Sequence, residues 1–374
     1  MKLLRVVLIA IVLLQNAFEV KSQYDVQILE ARAFSPIGRT VLVEGRGLEL
    51  ISSGSHFGIS FEGKECRIFA SLSDWQDHNY LQYELDGVYQ KRLMISKNDS
   101  APILIQAGEA GKHTVWIYKA TEAHSGPIFI NKVTGEKLHA LKQSPAPLIE
   151  FVGNSITCGA AADPSEVPCG TGAYHDQHNA YLAYGPRLAR SLKANFVLSS
   201  VSGIGVYRNW NSEGPTMPQV YEKTDFQYNG NRYWDFASYS PAVVSIALGT
   251  NDFSKGDGKI NRLLFDSAAF VSEYIRFVQL VKAKYPHSQI ALLSSPMAGG
   301  ANALALQNCL KAVKTSIDGF ETGKPIALYF FNPMQARGCS GHPSVDDHRI
   351  MAAELQVFFK SLLDKSVKRQ NTTQ

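Results

Sequence analysis

Residues 148–159 read Leu-Ile-Glu-Phe-Val-Gly-Asn-Ser-Ile-Thr-Cys-Gly. Leu148 to Val152 read as a buried strand, and Gly153 to Thr157 turn away from it with a serine in the bend. Four more apolar runs follow, Phe196 to Leu198, Ala242 to Leu248, Gln289 to Leu293 and Ile326 to Phe330. Between them Val271, Tyr274, Ile275 and Val278 keep helical spacing, as do Leu306, Leu310, Val313 and Ile317. A last helix is expected from about Asp346 to Leu363, on Ile350, Leu355, Phe358 and Leu362. Strands apolar on both faces and separated by helices predict a parallel sheet inside a three-layer α/β/α domain, over residues 146–365.

Upstream, over residues 24–140, the pattern is different. Short β-rich runs recur at Thr40 to Val43, Ile59 to Phe61, Cys66 to Phe69, Tyr80 to Leu85, Val88 to Ile95 and Thr114 to Tyr118. Asp86-Gly87 between two of them is a hairpin signal. With no long stretch of period 3.6, this part predicts an all-β sandwich or jelly roll. Ser144-Pro145-Ala146-Pro147 reads as the junction.

The chain's 374 residues are enough for two domains, and at 45% hydrophobic and 19% charged it is too apolar to be disordered. There are 37 Lys plus Arg against 33 Asp plus Glu, a net charge of +4 with no basic block, which argues against nucleic acid as a partner. Residues 1–22 read as a signal peptide: Lys2 and Arg5 precede the apolar run Val6 to Leu14, and cleavage is expected before Gln23. That run is about half of the ~20 residues a membrane span needs. A secreted or periplasmic monomer is expected, in a compartment where disulfides persist. Asn98-Asp-Ser and Asn371-Thr-Thr fit the glycosylation sequon of a eukaryotic secretory route.

In an open parallel sheet the chemistry gathers beyond the C-terminal strand ends. The first strand leads to Ser155, the second to Ser202-Gly203-Ile204-Gly205, and the third to Gly249-Thr250-Asn251-Asp252. The fifth leads to Gly341-His342-Pro343-Ser344. Together these supply a nucleophile, a base and donors for an oxyanion, the kit for acyl transfer through serine. Each piece alone has an ordinary structural reading, such as an Asn or Asp capping a turn.

The four blocks resemble the SGNH (GDSL-type) hydrolase superfamily, whose catalytic Ser, Gly, Asn and His match Ser155, Gly203, Asn251 and His342. The closer likeness is to carbohydrate esterase family two, which joins a β-sandwich to an SGNH domain and deacetylates plant polysaccharides such as xylan and glucomannan. The strings are GNSITCG (153–159), SGIGVYRNW (202–210), GTND (249–252) and GHPSVDDH (341–348). The likeness implies Ser155 as nucleophile and His342 as base. It also implies an oxyanion hole from the Ser155 and Gly203 N–H groups and the Asn251 amide, an acetylated polysaccharide or oligosaccharide as partner, and no cofactor or metal.

The sequence departs from the superfamily pattern twice. Asn154 stands where Asp usually precedes the serine, and Cys339 stands where Asp usually lies three residues before the His. Some members hold the His by a main-chain carbonyl, giving a Ser–His dyad; Asp346 and Asp347 are the other partners within reach. Tyr207, Trp210 and Trp234 are the aromatics expected to stack on sugar, whereas Trp75 and Trp116 are expected in a core. Cys158 and Cys169 flank a loop of ten residues and are expected to form a disulfide, leaving Cys66, Cys309 and Cys339 unassigned. Two other readings stay open. A non-catalytic carbohydrate-binding protein draws on the departure at Cys339. A metal-dependent deacetylase would use His175, His178, His342, Asp346, Asp347 and His348.

Overall fold

The computed structural model describes residues 26–99, 101–259, 261–320 and 323–370. The leader expected over residues 1–22 lies outside the described residues. The N-terminal domain is one hydrogen-bonded antiparallel sheet of eight strands. They are β1 (Val26–Glu30), β2 (Thr40–Val43), β3 (Gly47–Leu50), β4 (His56–Leu72), β5 (His78–Leu85), β6 (Val88–Ser96), β7 (Ile103–Lys119) and β8 (Ile128–Leu141). The two runs read separately at 59–61 and 66–69 are both parts of β4, which bends where its register with β7 shifts between Gly63 and Glu65. The bent strands fold the sheet over a single core that includes Phe57, Phe61, Ile68, Leu81, Ile105, Val115 and Ile130. The expected sandwich is therefore made from one continuous sheet. Asp86 and Gly87, both at positive φ, join β5 to β6.

The second domain has five parallel strands, β9 (Leu148–Gly153), β10 (Asn195–Ser200), β11 (Val243–Ala247), β12 (Gln289–Leu293) and β13 (Ala327–Tyr329), in the order β10-β9-β11-β12-β13. Its helices are α1 (Ser155–Cys158), α2 (Tyr184–Ser191), α3 (Met217–Val220), α4 (Thr250–Phe253), α5 (Ser267–Lys284), α6 (Gly300–Phe320) and α7 (Val345–Gln370). Alternation along the strands divides the sheet between two cores. Val244, Ile246, Ile290 and Leu292 pack under α5 and α6 with Phe270, Phe277, Leu306 and Val313. Phe151, Val243, Ala291 and Leu293 pack under α2 and α7 with Leu188, Leu355 and Phe359. These are the three expected layers. The last helix outruns its expected end at Leu363 and continues to Gln370.

The first strand is not purely apolar. Glu150 is buried in the middle of β9, where it accepts from Ser199 Oγ at 2.6 Å and Tyr221 Oη at 3.0 Å. Burial raises its pKa, and Arg39, a fully buried residue of the N-terminal domain, opposes that. Arg39 reaches Ser199 Oγ and donates to the Lys223 carbonyl at 2.6 Å, between the faces of Phe226 and Trp234. A buried charge of this kind is tolerated only when paired and hydrogen-bonded. The Arg39 cluster thus ties the two sheets together.

Candidate active site

Strand β9 lies between β10 and β11, with Gly153 level with Ser200 on one side and Ala247 on the other. The strand order reverses here, so three neighbouring strand ends open into one crevice. A Cβ on Gly153 would lie 2.0 Å from Thr157 Oγ1, which is why the chain can turn directly from strand into α1 only with glycine there. Asn154 Oδ1 caps the turn, accepting the Ile156 N–H at 3.1 Å. Ser155 opens α1, and its N–H is one of those at a helix start without an intrahelical acceptor.

Ser155 Oγ lies 3.0 Å from His342 Nε2, and His342 Nδ1 lies 3.0 Å from the Ser340 carbonyl. A carbonyl only accepts, so the ring proton sits on Nδ1 and the Nε2 lone pair faces the serine hydroxyl. Burial lowers the His342 pKa, while the Ser340 carbonyl pulls the other way. Among the described residues no carboxylate hydrogen-bonds the ring. Asp347 is occupied with the N–H groups of Arg337 and Ser344, both at 2.9 Å, and with the Arg337 guanidinium. Asp346 is exposed and 3.6 Å from Arg349. Of the partners open in the sequence, the main-chain carbonyl is the one in place.

Cys339 is bonded to Cys169. This corrects the expected Cys158–Cys169 bridge. Cys158 is buried beneath the strand ends, 3.2 Å from Ser200 Oγ, and is a free thiol, as are Cys66 and Cys309. Proximity in sequence misled because α1 turns Cys158 inward, whereas Cys169 lies on the outer loop that meets the His342 segment. That segment is further pinned by Cys339 N–H on the Ala161 carbonyl at 2.8 Å and Gly338 N–H on the His342 carbonyl at 2.7 Å. Ser340 and Gly341 both adopt positive φ to make the turn.

Gly203 follows β10 at φ 75°, and the Trp210 N–H donates to its carbonyl at 2.7 Å. Asn251 sits in α4 after β11, and its amide donates one hydrogen to the Ile204 carbonyl at 2.8 Å. Beside it the buried Asp252 collects the N–H groups of Val206, Tyr207 and Arg208 within 3.2 Å, fixing the loop that follows Gly203. Burial raises the Asp252 pKa against those hydrogen bonds.

Three residues at the site were not among those expected for acyl transfer. The Tyr174 hydroxyl lies 3.3 Å from His342 Nε2 and 3.4 Å from Ser202 Oγ. Behind it His178 packs edge-on to Tyr174, accepts the Ala161 N–H at Nδ1, and lies 3.5 Å from Glu122. Glu122 comes from the N-terminal domain just past β7 and accepts the Ser202 N–H at 2.6 Å, one residue before Gly203. Burial opposes its ionisation, but His178 and the Ser202 N–H outweigh that and lower its pKa to about 2. The buried Lys119 ammonium holds the backbone of this segment through the Thr121 and Glu122 carbonyls.

Of the aromatics expected on sugar, Trp210 is 43% exposed beside Gly203. The other two are corrected. Trp234 is 8% exposed, stacked on Tyr239 and lying over Arg39 at the domain seam, because that cation needs an aromatic wall. Tyr207 packs against Phe265 and Phe270, and its hydroxyl accepts the Asp266 N–H. Trp75, expected in a core, is 67% exposed instead; Trp116 is half-buried against Gly58 and His56. The metal-deacetylase set does not assemble: His348 is buried and accepts the Tyr184 N–H, and His178 faces Glu122.

Residues 36–145 match the model of the carbohydrate esterase 2 N-terminal domain, and residues 151–318 match that of the GDSL-like lipase/acylhydrolase family. This chain belongs to the family two carbohydrate esterases. It is thereby a carboxylic-ester hydrolase. It is 30% identical over 341 residues to the cellulase/esterase CelE of Acetivibrio thermocellus, matching 87% of this chain but only 39% of CelE. It is 26% identical over 332 residues to an acetylxylan esterase/glucomannan deacetylase of Cellvibrio japonicus, covering 84% of this chain and 88% of that protein. Among solved structures, a family two carbohydrate esterase from Clostridium thermocellum, in complex with cellohexaose, superposes with a TM-score of 0.76. The identity is 26%, covering 90% of this chain and 99% of that one. No helix among the described residues is long and apolar enough to cross a membrane.

Proposed function

We propose that this family two esterase removes O-acetyl groups from plant polysaccharide, xylan or glucomannan, outside the cell, through an acetyl-enzyme on Ser155. The observation that carries the reading is the 3.0 Å contact between Ser155 Oγ and a His342 whose proton is held on the far nitrogen by the Ser340 carbonyl. In the first half-reaction Ser155 Oγ attacks the acetyl carbonyl and His342 Nε2 takes its proton. His342 then returns the proton to the departing sugar oxygen. Water, deprotonated by the same nitrogen, attacks the acetyl-enzyme, and His342 hands the proton back to Ser155 as acetate leaves.

The charge on the tetrahedral oxygen is met by the Ser155 and Gly203 N–H groups and by the second hydrogen of the Asn251 amide, its first being spent on Ile204. A fixed donor of this type is worth about 3–4 kcal/mol in the transition state. The imidazolium formed at each step is stabilised by a carbonyl dipole where many serine hydrolases use a carboxylate. Trp210, exposed next to Gly203, is the platform for the sugar. The relatives named for acetylxylan and glucomannan support the substrate class. A purely binding protein rested on the departure at Cys339, and the Ser340 carbonyl supplies what that departure removed.

The test is acetate release from p-nitrophenyl acetate, acetylated xylan and acetylated glucomannan, with Ser155→Ala as control. Hydrolysis of all three by the native chain, and of none by the folded variant, is expected. Binding of the polysaccharides without acetate release would overturn the enzymatic reading, and turnover of p-nitrophenyl acetate alone would overturn the substrate class.

A further inference from the structure

A second cluster of chemistry-bearing side chains lies across the domain seam. His78 stands at the start of β5 in the N-terminal domain, while His175 and Asp176 lie in the single helical turn 174–177 of the α/β domain. His78 Nε2 is 2.5 Å from Asp176 Oδ1, and His175 Nε2 is 3.8 Å from the same oxygen. All three atoms fall within 4.8 Å of one another. None of the three residues hydrogen-bonds Ser155 or His342.

We propose that His78, His175 and Asp176 form a binding site for a divalent first-row transition ion, with Zn²⁺ as its preferred occupant, clamping the turn 174–177 to the N-terminal sheet.

Four observations point the same way. The His175 Nε2 atom is sealed from solvent and has no hydrogen-bond partner, an expensive state for an imidazole nitrogen unless something accepts its lone pair. The same ring lies against that of His78 across the seam, centroids 4.7 Å apart, so the two imidazoles are already held side by side. Asp176 Oδ2 is already held by the Ala173 N–H at 2.7 Å, so Oδ1, which faces both His78 and His175, is the oxygen that would take the ion in place of its present hydrogen bond to His78. Tetrahedral zinc with bonds of about 2.0–2.1 Å needs ligand atoms roughly 3.3 Å apart. The separations of 2.5 and 3.8 Å from Asp176 Oδ1 fall on either side of that value, and the three ligand atoms lie within 4.8 Å of one another, so binding would draw the side chains onto one ion by rotation.

Two imidazoles and one carboxylate exclude Mg²⁺ and Ca²⁺, which take all-oxygen sets, and favour zinc, copper or nickel. Arg92 is the nearby cation, and it is directed away: it donates to the Asp176 and His178 carbonyls and pairs with Glu166. The turn that would be clamped also carries Tyr174, against His342, and leads into His178, against Glu122. The clamp is therefore structural, and its detection does not depend on the esterase reading.

The experiment is calorimetric titration of untagged full-length protein, stripped with EDTA, with Zn²⁺ alone, alongside thermal unfolding with and without the ion. Expected are one site per chain with a Kd below about 10 µM and a rise in Tm with Zn²⁺ but not with Mg²⁺ or Ca²⁺. At least tenfold weaker binding is expected in His175→Ala and in His78→Ala. Co²⁺ in place of Zn²⁺ should give ligand-field absorption that either variant loses. The two variants lie on opposite sides of the seam, so if one fails to fold the other carries the test. No binding at 100 µM Zn²⁺, or undiminished binding in a folded variant, would overturn the site.

Discussion

Removing the Cys169–Cys339 bridge tests two consequences of the structure at once. The bridge joins residues 170 apart in sequence. In the chain-entropy model, opening a loop of that length costs about 5 kcal/mol at 25 °C. With an unfolding entropy of roughly 2.1 cal/mol/K per residue, a chain of this size unfolding as a unit would lose about 7 °C in Tm. The second consequence is local. Cys339 lies one residue before the carbonyl that holds His342 Nδ1, and its own N–H and carbonyl are both engaged, on Ala161 and by the His342 N–H. Freed from Cys169, the segment keeps those hydrogen bonds but loses its covalent anchor. A displacement of about 1 Å at the imidazole is enough to lower kcat/KM by up to roughly 100-fold. The double variant Cys169→Ser/Cys339→Ser is measured by calorimetry and by p-nitrophenyl acetate hydrolysis well below its Tm. A fall in both is expected. A Tm within about 1 °C of the native value would refute the entropic estimate, and an unchanged kcat/KM would refute the claim that the bridge positions His342.

Asn251→Ala should lower kcat by about 10²–10³-fold with the fold intact, as for loss of a single oxyanion donor; a loss below about tenfold would remove Asn251 from that role. His342 must be neutral to accept the serine proton, and burial lowers its pKa from the ordinary 6.5. The acid limb of kcat/KM should therefore have its midpoint below pH 6.5, and a midpoint above it would contradict the proposed environment. Glu122 has a pKa depressed from 4.5 to about 2, so its ionised form stabilises the fold above pH 4.5 and that contribution disappears as pH falls toward 2. Glu122→Gln should accordingly lower Tm at pH 7, with the gap to the native protein narrowing below pH 4.5; a gap independent of pH would show that charge is not the cause.

What the sequence made legible follows the reach of local pattern. The five parallel strands stand out because both faces are covered, and Ser155, Gly203 and Asn251 stand out because each directly follows a strand or the turn beyond one, while His342 stands out in the block GHPSVDDH that leads into the last helix. Glu122 did not, because it reaches the crevice only through the docking of two domains; Tyr174 and His178 did not stand out for acyl transfer because the irregular segment that carries them does not directly follow a strand of the sheet. Cys169 and Cys339 are joined across 170 residues, a pairing that no spacing rule finds. Trp234 was misassigned because a buried guanidinium and a sugar ring ask for the same aromatic face, and only the position of Arg39 tells them apart. Glu150 in β9 was passed over because one acidic residue in an apolar run looks like noise until its buried partner is known.

The account turns on Ser155 being the activated nucleophile. The most direct measurement is covalent labelling with a fluorophosphonate, followed by peptide mapping of the native chain and of His342→Ala. The account predicts stoichiometric modification of Ser155 in parallel with loss of hydrolysis, and labelling at least 100-fold slower in the variant. Full esterase activity in protein that has taken up no label at Ser155, or label carried on another residue, would contradict it.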